Sequence, residues 1–209
     1  GVILHEYGHI FASLSDISFG AGHSNRLTCP IDQLIDIDTC GGLEYGDFYD
    51  VLGASSFGGH YNSVLKEMFG WLDNRIITVN QSGVFTIYPY ELANSSPVVL
   101  KIFRRVNSQG QDEFFYIEYR TPQGFDEKVM GPYLFDSNPV PENDVSAING
   151  PQIRIAPLNL QNSGISHVID LIENADDVYG FRNIGLVVGE NFTDPLTGIS
   201  ITTLEITDQ

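Results

Sequence analysis

His5-Glu6-Tyr7-Gly8-His9 places two imidazoles four residues apart, with a carboxylate directly after the first. On a helix, positions i and i+4 lie on one face, so both rings can reach a single ion. Zinc suits two neutral histidines plus one further ligand, with a fourth position left to water. Glu6 lies at the edge of that face, where it can take a proton from the zinc-bound water and later pass it to a leaving amine. The chemistry these residue types point to is metal-assisted hydrolysis.

The third ligand is less directly readable. In the metzincin form, H-E-x-x-H-x-x-G-x-x-H, a glycine turns the chain out of the helix and a third histidine closes the site. Ala12 and Ser15 occupy those positions here, but Gly20-Ala21-Gly22-His23 restores the G-x-x-H spacing eight residues later. An eight-residue insertion after His9 would make His23 the third ligand. Asp16 is the second candidate, since a carboxylate also binds zinc. Glu67, on a later helical stretch, and His60 complete the set.

These residues need elements to hold them. Ile3, Tyr7, Ile10 and Leu14, with Leu4 and Phe11 alongside, form an apolar helical stripe. The stretch 20–59 is rich in Gly, Asp and Ser and reads as mostly loop. A long loop in a compact domain is usually functional. Tyr61, Val64, Leu65, Met68 and Phe69 predict a second helix, with Gly70 as its C-terminal stop. Past Asp73-Asn74 the composition shifts to short runs of β-branched and aromatic residues: 84–88, 98–103, 114–119, 165–172, 185–188 and 199–206. Ser-Gly, Gln-Gly, Asn-Gly and Thr-Gly pairs punctuate them, a spacing that predicts an antiparallel sandwich or barrel. The expected fold class is α+β, with one unit over 1–75 and a β-sandwich over 76–209.

Composition narrows the function. Ten Lys plus Arg against 27 Asp plus Glu give a formal charge of −17 over 209 residues. A phosphate-binding surface requires Lys and Arg, so nucleic acid and anionic membranes are disfavoured partners. No apolar run approaches the roughly 20 residues of a spanning helix. Two cysteines are too few for a dense disulfide scaffold or a Cys-rich zinc module. The chain opens inside a helical pattern at Gly1-Val2-Ile3-Leu4, which reads as a fragment whose start, signal peptide included, is missing.

His5–His9, followed by Gly22-His23-Ser24-Asn25-Arg26-Leu27-Thr28-Cys29, resembles the active-site stretch of gametolysin-like zinc metalloproteases. The resemblance continues through Glu44-Tyr45-Gly46-Asp47-Phe48-Tyr49-Asp50-Val51-Leu52-Gly53, where related enzymes carry Y-G-D and then D-V-M-G. That methionine floors the metal site, and Leu52, of similar volume, stands in its place. Gly59-His60-Tyr61-Asn62 and Lys66-Glu67-Met68-Phe69-Gly70-Trp71-Leu72 are similar to the helix that follows, and the same helix is similar to that of the immune inhibitor A proteases. Tyr116–Arg120, Gly124–Glu127, Gly189–Asp194 and Gly198–Ile201 are similar to the β-domain of both groups. The resemblance implies that 1–75 is the C-terminal part of a zincin catalytic domain. It further implies a zinc endopeptidase with Glu6 as general base, His5, His9 and His23 as ligands, and protein or peptide as substrate. Such enzymes lay the substrate along a sheet that precedes the H-E-x-x-H helix, and no such sheet is present in this sequence.

Cys29 and Cys40 bracket an acidic segment with Asp32, Asp36 and Asp38. Without C-x-x-C spacing, a disulfide closing this loop is expected, and with it an extracellular location. The aspartates do not match a calcium loop and read as a solvated face. Tyr45, Tyr49 and His60 are candidates to stabilise an oxyanion. The alternative functional class is a binding or adhesion module derived from a protease, with turnover lost and the β-domain contacting protein or glycan.

Overall fold

The computed structural model describes residues 2–14, 23–28, 40–53, 59–92, 95–127, 149–157, 166–171 and 184–207. It is a mixed α+β arrangement dominated by strands. The elements are α1 (Val2–Leu14), β1 (Asn25–Thr28), β2 (Gly41–Leu43), α2 (Ser63–Met68), β3 (Ile76–Val79), β4 (Val99–Val106), β5 (Asp112–Glu118), β6 (Gln152–Pro157), β7 (His167–Ile169), β8 (Asn191–Thr193) and β9 (Ser200–Thr202). Seven strands form one sheet in the order β2-β1-β7-β6-β5-β4-β3, and β8 pairs with β9 in a second.

The larger sheet is mixed, which corrects the wholly antiparallel expectation. β4, β5, β6 and β7 run antiparallel in succession, but β3 lies parallel to β4 and β1 parallel to β7. Parallel neighbours cannot be joined by a tight hairpin. The chain accordingly leaves β3 and travels through residues 80–98 before entering β4. β1 and β2 come from the N-terminal side of residue 75 and add to strands from its other side.

Side-chain alternation divides the core in two. Phe115, Ile117, Ile153, Ile155, Leu27 and Ile169 point to one face, where Phe192 and Ile201 of the small sheet, with Ile199 just before β9, cover them. Tyr116, Val99 and Ala156 point to the other, against Val64 of α2 together with Leu72, Tyr90 and Val98. α2 begins where Asn62 caps it, its Oδ1 accepting from Leu65 N at 3.1 Å. It ends at Gly70, whose φ of 72° is the left-handed conformation that favours glycine.

Other expectations changed. Val84–Tyr88 forms no strand, and Val84 is 79% exposed. β3 remains the edge of the larger sheet, so the β-propensity of these residues does not produce a strand. From 185–188 only Gly185 pairs, in a single bridge to Gln152. Conversely, the loop-like stretch 20–59 contains β1 and β2. The stripe on α1 also faces outward. Ile3, Leu4, Tyr7, Ile10 and Phe11 are exposed, while His5 and Gly8 face inward. No described helix is long and apolar enough to cross a membrane.

Candidate metal centre

The inward turn of α1 follows from what His5 and Gly8 meet. Nδ1–H of the buried His5 donates to Val51 O at 2.8 Å. A Cβ built on Gly8 would stand 2.8 Å from both Leu52 Cδ2 and Tyr61 Cε1, so only glycine lets the helix approach this closely. Tyr61 donates its hydroxyl to Leu4 O and fixes the same turn from the side. Leu52, fully buried, therefore lies beneath α1.

The segment that supplies Val51 and Leu52 is itself held by polar contacts. Asp47 Oδ1 accepts from Tyr49 N at 3.0 Å, and Asp50 Oδ1 from Leu52 N at 2.6 Å. Asp50 Oδ2 accepts from Asn62 N. Gly53 sits so close to Asp47 O that a Cβ would fall 1.8 Å from it. Beneath lies a buried ionic network. Arg154 bonds Asp47, and bonds Glu118 at 3.0 Å; Arg120 bonds Asp126 at 2.7 Å. Glu118 also accepts from Ser63 N at 2.7 Å. Burial and the neighbouring Asp47 push Asp50 up to about 7, against the pull of Arg154 and Arg120. Glu118 is held below its ordinary value because Arg154 and Arg120 outweigh the desolvation that would raise it.

The same framework delivers His23. Ser24 N donates to Leu52 O at 3.0 Å, and Ser24 Oγ donates to Asp47 Oδ2 at 3.0 Å. Asn25 then enters β1 beside His167. His23 is thus anchored at the mouth of a strand, beside the floor that holds His5. Its Nδ1–H donates to Glu44 Oε1 at 2.7 Å, and its ring stacks on Tyr45 with centroids 3.7 Å apart.

His5, His9 and His23 converge, their ligand atoms all within 4.8 Å of one another. His5 Nε2 and His9 Nε2 are 3.2 Å apart. Tetrahedral zinc with Zn–N bonds of about 2.0–2.1 Å holds its ligand atoms roughly 3–4 Å apart, so the outer limit here is wider than a closed site requires. The donor chemistry fits a cation. Val51 O and Glu44 engage the Nδ1 atoms of His5 and His23, which leaves both Nε2 lone pairs directed elsewhere. These three side chains form a cluster that could hold a metal ion.

The other candidates separate from this cluster. Glu67 bonds Lys101 Nζ at 2.7 Å and accepts from Tyr116 at 2.6 Å, on the sheet side of α2. His60 contacts Lys66 Nζ at 3.3 Å and does not join the three converging imidazoles, and Tyr49 is buried in the core. Tyr45 is the oxyanion candidate that stands against the trio, 5.8 Å from His5 between ring centroids and 42% exposed. Its φ of 59°, rare for a non-glycine residue, turns the phenol onto His23. Glu6 is exposed on α1 beside His5. Asp16, Cys29, Asp32, Asp36 and Asp38 lie outside the described residues, so the disulfide stays an expectation; Cys40 is buried against the core.

Sequence reasoning did not assign a role to Glu44 or foresee the Arg154 network. Glu44 lies 21 residues from His23, and Arg154 lies 107 residues from Asp47, so no local pattern links either pair. No family model, curated protein or solved structure matches this chain.

Proposed function

We propose that the protein is a secreted zinc-dependent endopeptidase, with His5, His9 and His23 as zinc ligands and Glu6 as general base. The observation that carries this reading is the convergence of the three imidazoles next to an exposed glutamate on the same helix. In the proposed architecture, α1, α2 and the segment between them are the lower part of a zincin catalytic domain, joined to the strands after residue 75 through β1 and β2 of the shared sheet.

Bound zinc would polarise the scissile carbonyl and lower the pKa of water at the open fourth position. Glu6 takes the proton of the attacking water and delivers it to the amine nitrogen as the C–N bond breaks. His5 and His23 keep their ring orientations through Val51 O and Glu44, so both present Nε2 without reorganisation. Tyr45 offers its hydroxyl to the developing oxyanion. The carboxylate-rich surface does not oppose this reading, because a peptide substrate requires no basic face.

The test pairs metal analysis with turnover. The purified protein should contain near one equivalent of zinc and cleave an unstructured protein substrate. Glu6→Gln should retain zinc and lose roughly 10²–10⁴-fold in turnover. A folded protein that takes up no zinc, or a Glu6→Gln variant that still cleaves at the original rate, would overturn the assignment. Zinc uptake without any hydrolysis would favour the binding-module alternative.

A further inference from the structure

A pocket of 330 Å³ opens beside the N-terminal end of α1. Leu4, which precedes His5, and Val51, whose carbonyl holds His5, both line it, so it adjoins the histidine cluster. Tyr61, Trp71 and Phe125 give it aromatic walls. Its size falls at the lower end for binding pockets and suits one side chain better than an extended ligand.

Its charge is unusual for this molecule. In a chain of net charge −17, Lys101, Arg104, Arg105, Arg120 and Arg154 all pair with carboxylates. Lys66 and Arg75 line the pocket, and among the described residues neither has a carboxylate within ion-pair distance. Arg75 is held by main-chain oxygens, Nη2 to Leu92 O at 2.9 Å and Nε to Ser96 O at 3.2 Å. The Lys66 ammonium lies 3.7 Å from the Tyr90 ring centroid, and its hydrogen-bond partner is His60 Nδ1. Burial drives His60 down to about 4, so it is a neutral acceptor near pH 7. The carboxylates that act on the ammonium, Glu118, Asp126 and Glu91, are bonded to Arg154, Arg120 and Thr121 respectively. Burial also lowers Lys66, to about 8, which keeps it mostly cationic near pH 7 while making an incoming anion favourable.

We propose that this pocket receives an acidic side chain of the substrate, so that cleavage is directed to a peptide bond beside a glutamate or aspartate. Lys66 is the specificity-determining cation, Arg75 adds to the positive field, and the aromatic walls pack the methylene stem. The inference rests on the endopeptidase reading for its substrate class but is measured separately from it. Trp71, the single tryptophan, lines the pocket, so its emission reports occupancy without any turnover.

The probes are acetyl-Ala-Ala-Glu-Ala-amide, its Gln counterpart and free glutarate, titrated into the zinc-loaded Glu6→Gln variant while Trp71 emission is followed. The Glu peptide should bind about tenfold or more tighter than the Gln peptide, as expected for one charge-assisted hydrogen bond out of bulk water. In Lys66→Met, which keeps the aliphatic stem, that ratio should fall towards one, whereas Arg75→Lys should preserve most of it. Circular dichroism confirms that each variant is folded. Equal binding of the two peptides, or an unchanged ratio in folded Lys66→Met, overturns the proposal. Glutarate binding as tightly as the Glu peptide overturns the substrate assignment in favour of a small organic acid. Hydrolysis without acidic preference in the unmodified protein removes this inference alone. A Glu-selective Trp71 response without hydrolysis removes the endopeptidase reading alone.

Discussion

His23 donates its Nδ1–H to Glu44 Oε1 at 2.7 Å, so a carboxylate just before the Tyr45–Gly53 segment orients a ring that precedes β1. Such partners fix the tautomer and strengthen the other nitrogen as a ligand, and their loss typically costs 10–100-fold in metal affinity. Glu44 is 68% exposed, so solvent screening places the expected loss near the lower figure. Glu44→Ala should bind zinc about tenfold more weakly in a chelator competition, with thermal stability of the metal-free protein little changed. Equal zinc affinity in the two proteins would show that Tyr45 stacking alone holds the ring.

The Gly8–Leu52 contact yields a prediction that runs against helix propensity. Alanine inside an exposed helix gains roughly 1 kcal/mol over glycine. Here the added methyl would meet Leu52 Cδ2 and Tyr61 Cε1 at 2.8 Å, and both neighbours are buried. Gly8→Ala should therefore destabilise by about 1–3 kcal/mol, as overpacking does. Leu52→Ala alone should cost about 2–5 kcal/mol through the cavity it leaves. The double variant should be more stable than the sum of the single effects, because each change makes room for the other. Denaturant titration of the four proteins checks this, and strict additivity would show that α1 shifts rather than collides.

Legibility in the sequence follows the range of the forces involved. His5, Glu6 and His9 are a local pattern, and α1 forms where the periodicity predicts it. The orientation of α1 was not readable, because the apolar stripe predicts burial while His5 and Gly8 are the residues that meet Val51, Leu52 and Tyr61. Asn62 and Gly70 are recognisable start and stop signals, and α2 lies between them. β1 reads Asn-Arg-Leu-Thr, too polar to identify as a strand, and exists because β7 and β2 flank it. Strand pairing depends on residues more than a hundred positions away, for which a single sequence carries no signal. Val84–Tyr88 makes the converse point, since its β-propensity yields no strand and only Tyr88 N bonds across, to Pro97 O at 2.8 Å.

Arg154 tests how far the framework under the site depends on buried charge. Its guanidinium bonds Asp47, Glu118 at 3.0 Å and Gln152 Oε1 at 3.0 Å, with no exposure of any charged partner. Removing one member of such a group leaves uncompensated buried charge, which costs about 3–5 kcal/mol. Arg154→Met should lose stability of that order. Zinc affinity should fall with it, because Asp47 also holds Ser24 next to His23. Urea unfolding and chelator competition on the same preparation measure both effects. A variant with normal stability would place the network outside the folding core.

His167 makes stability depend on acidity. It is buried in β7, its Nδ1 has no hydrogen-bond partner among the described residues, and burial alone takes it from 6.5 to about 4. The unfolded chain therefore binds a proton at this position between about pH 6.5 and 4 that the folded chain refuses. The stabilisation is fully present above 6.5 and is lost as pH falls through about 4. His60, also lowered to about 4, acts in the same direction, whereas Asp50, raised to about 7, acts in the opposite one over about 4–7. The total profile is thus a balance, and a difference between two proteins isolates the histidine. His167→Leu should lose less stability than the unmodified protein between pH 7 and pH 4, by on the order of 2–3 kcal/mol. Denaturant unfolding at fixed pH steps measures the difference, and parallel profiles would mean that His167 gains a partner or solvent when protonated.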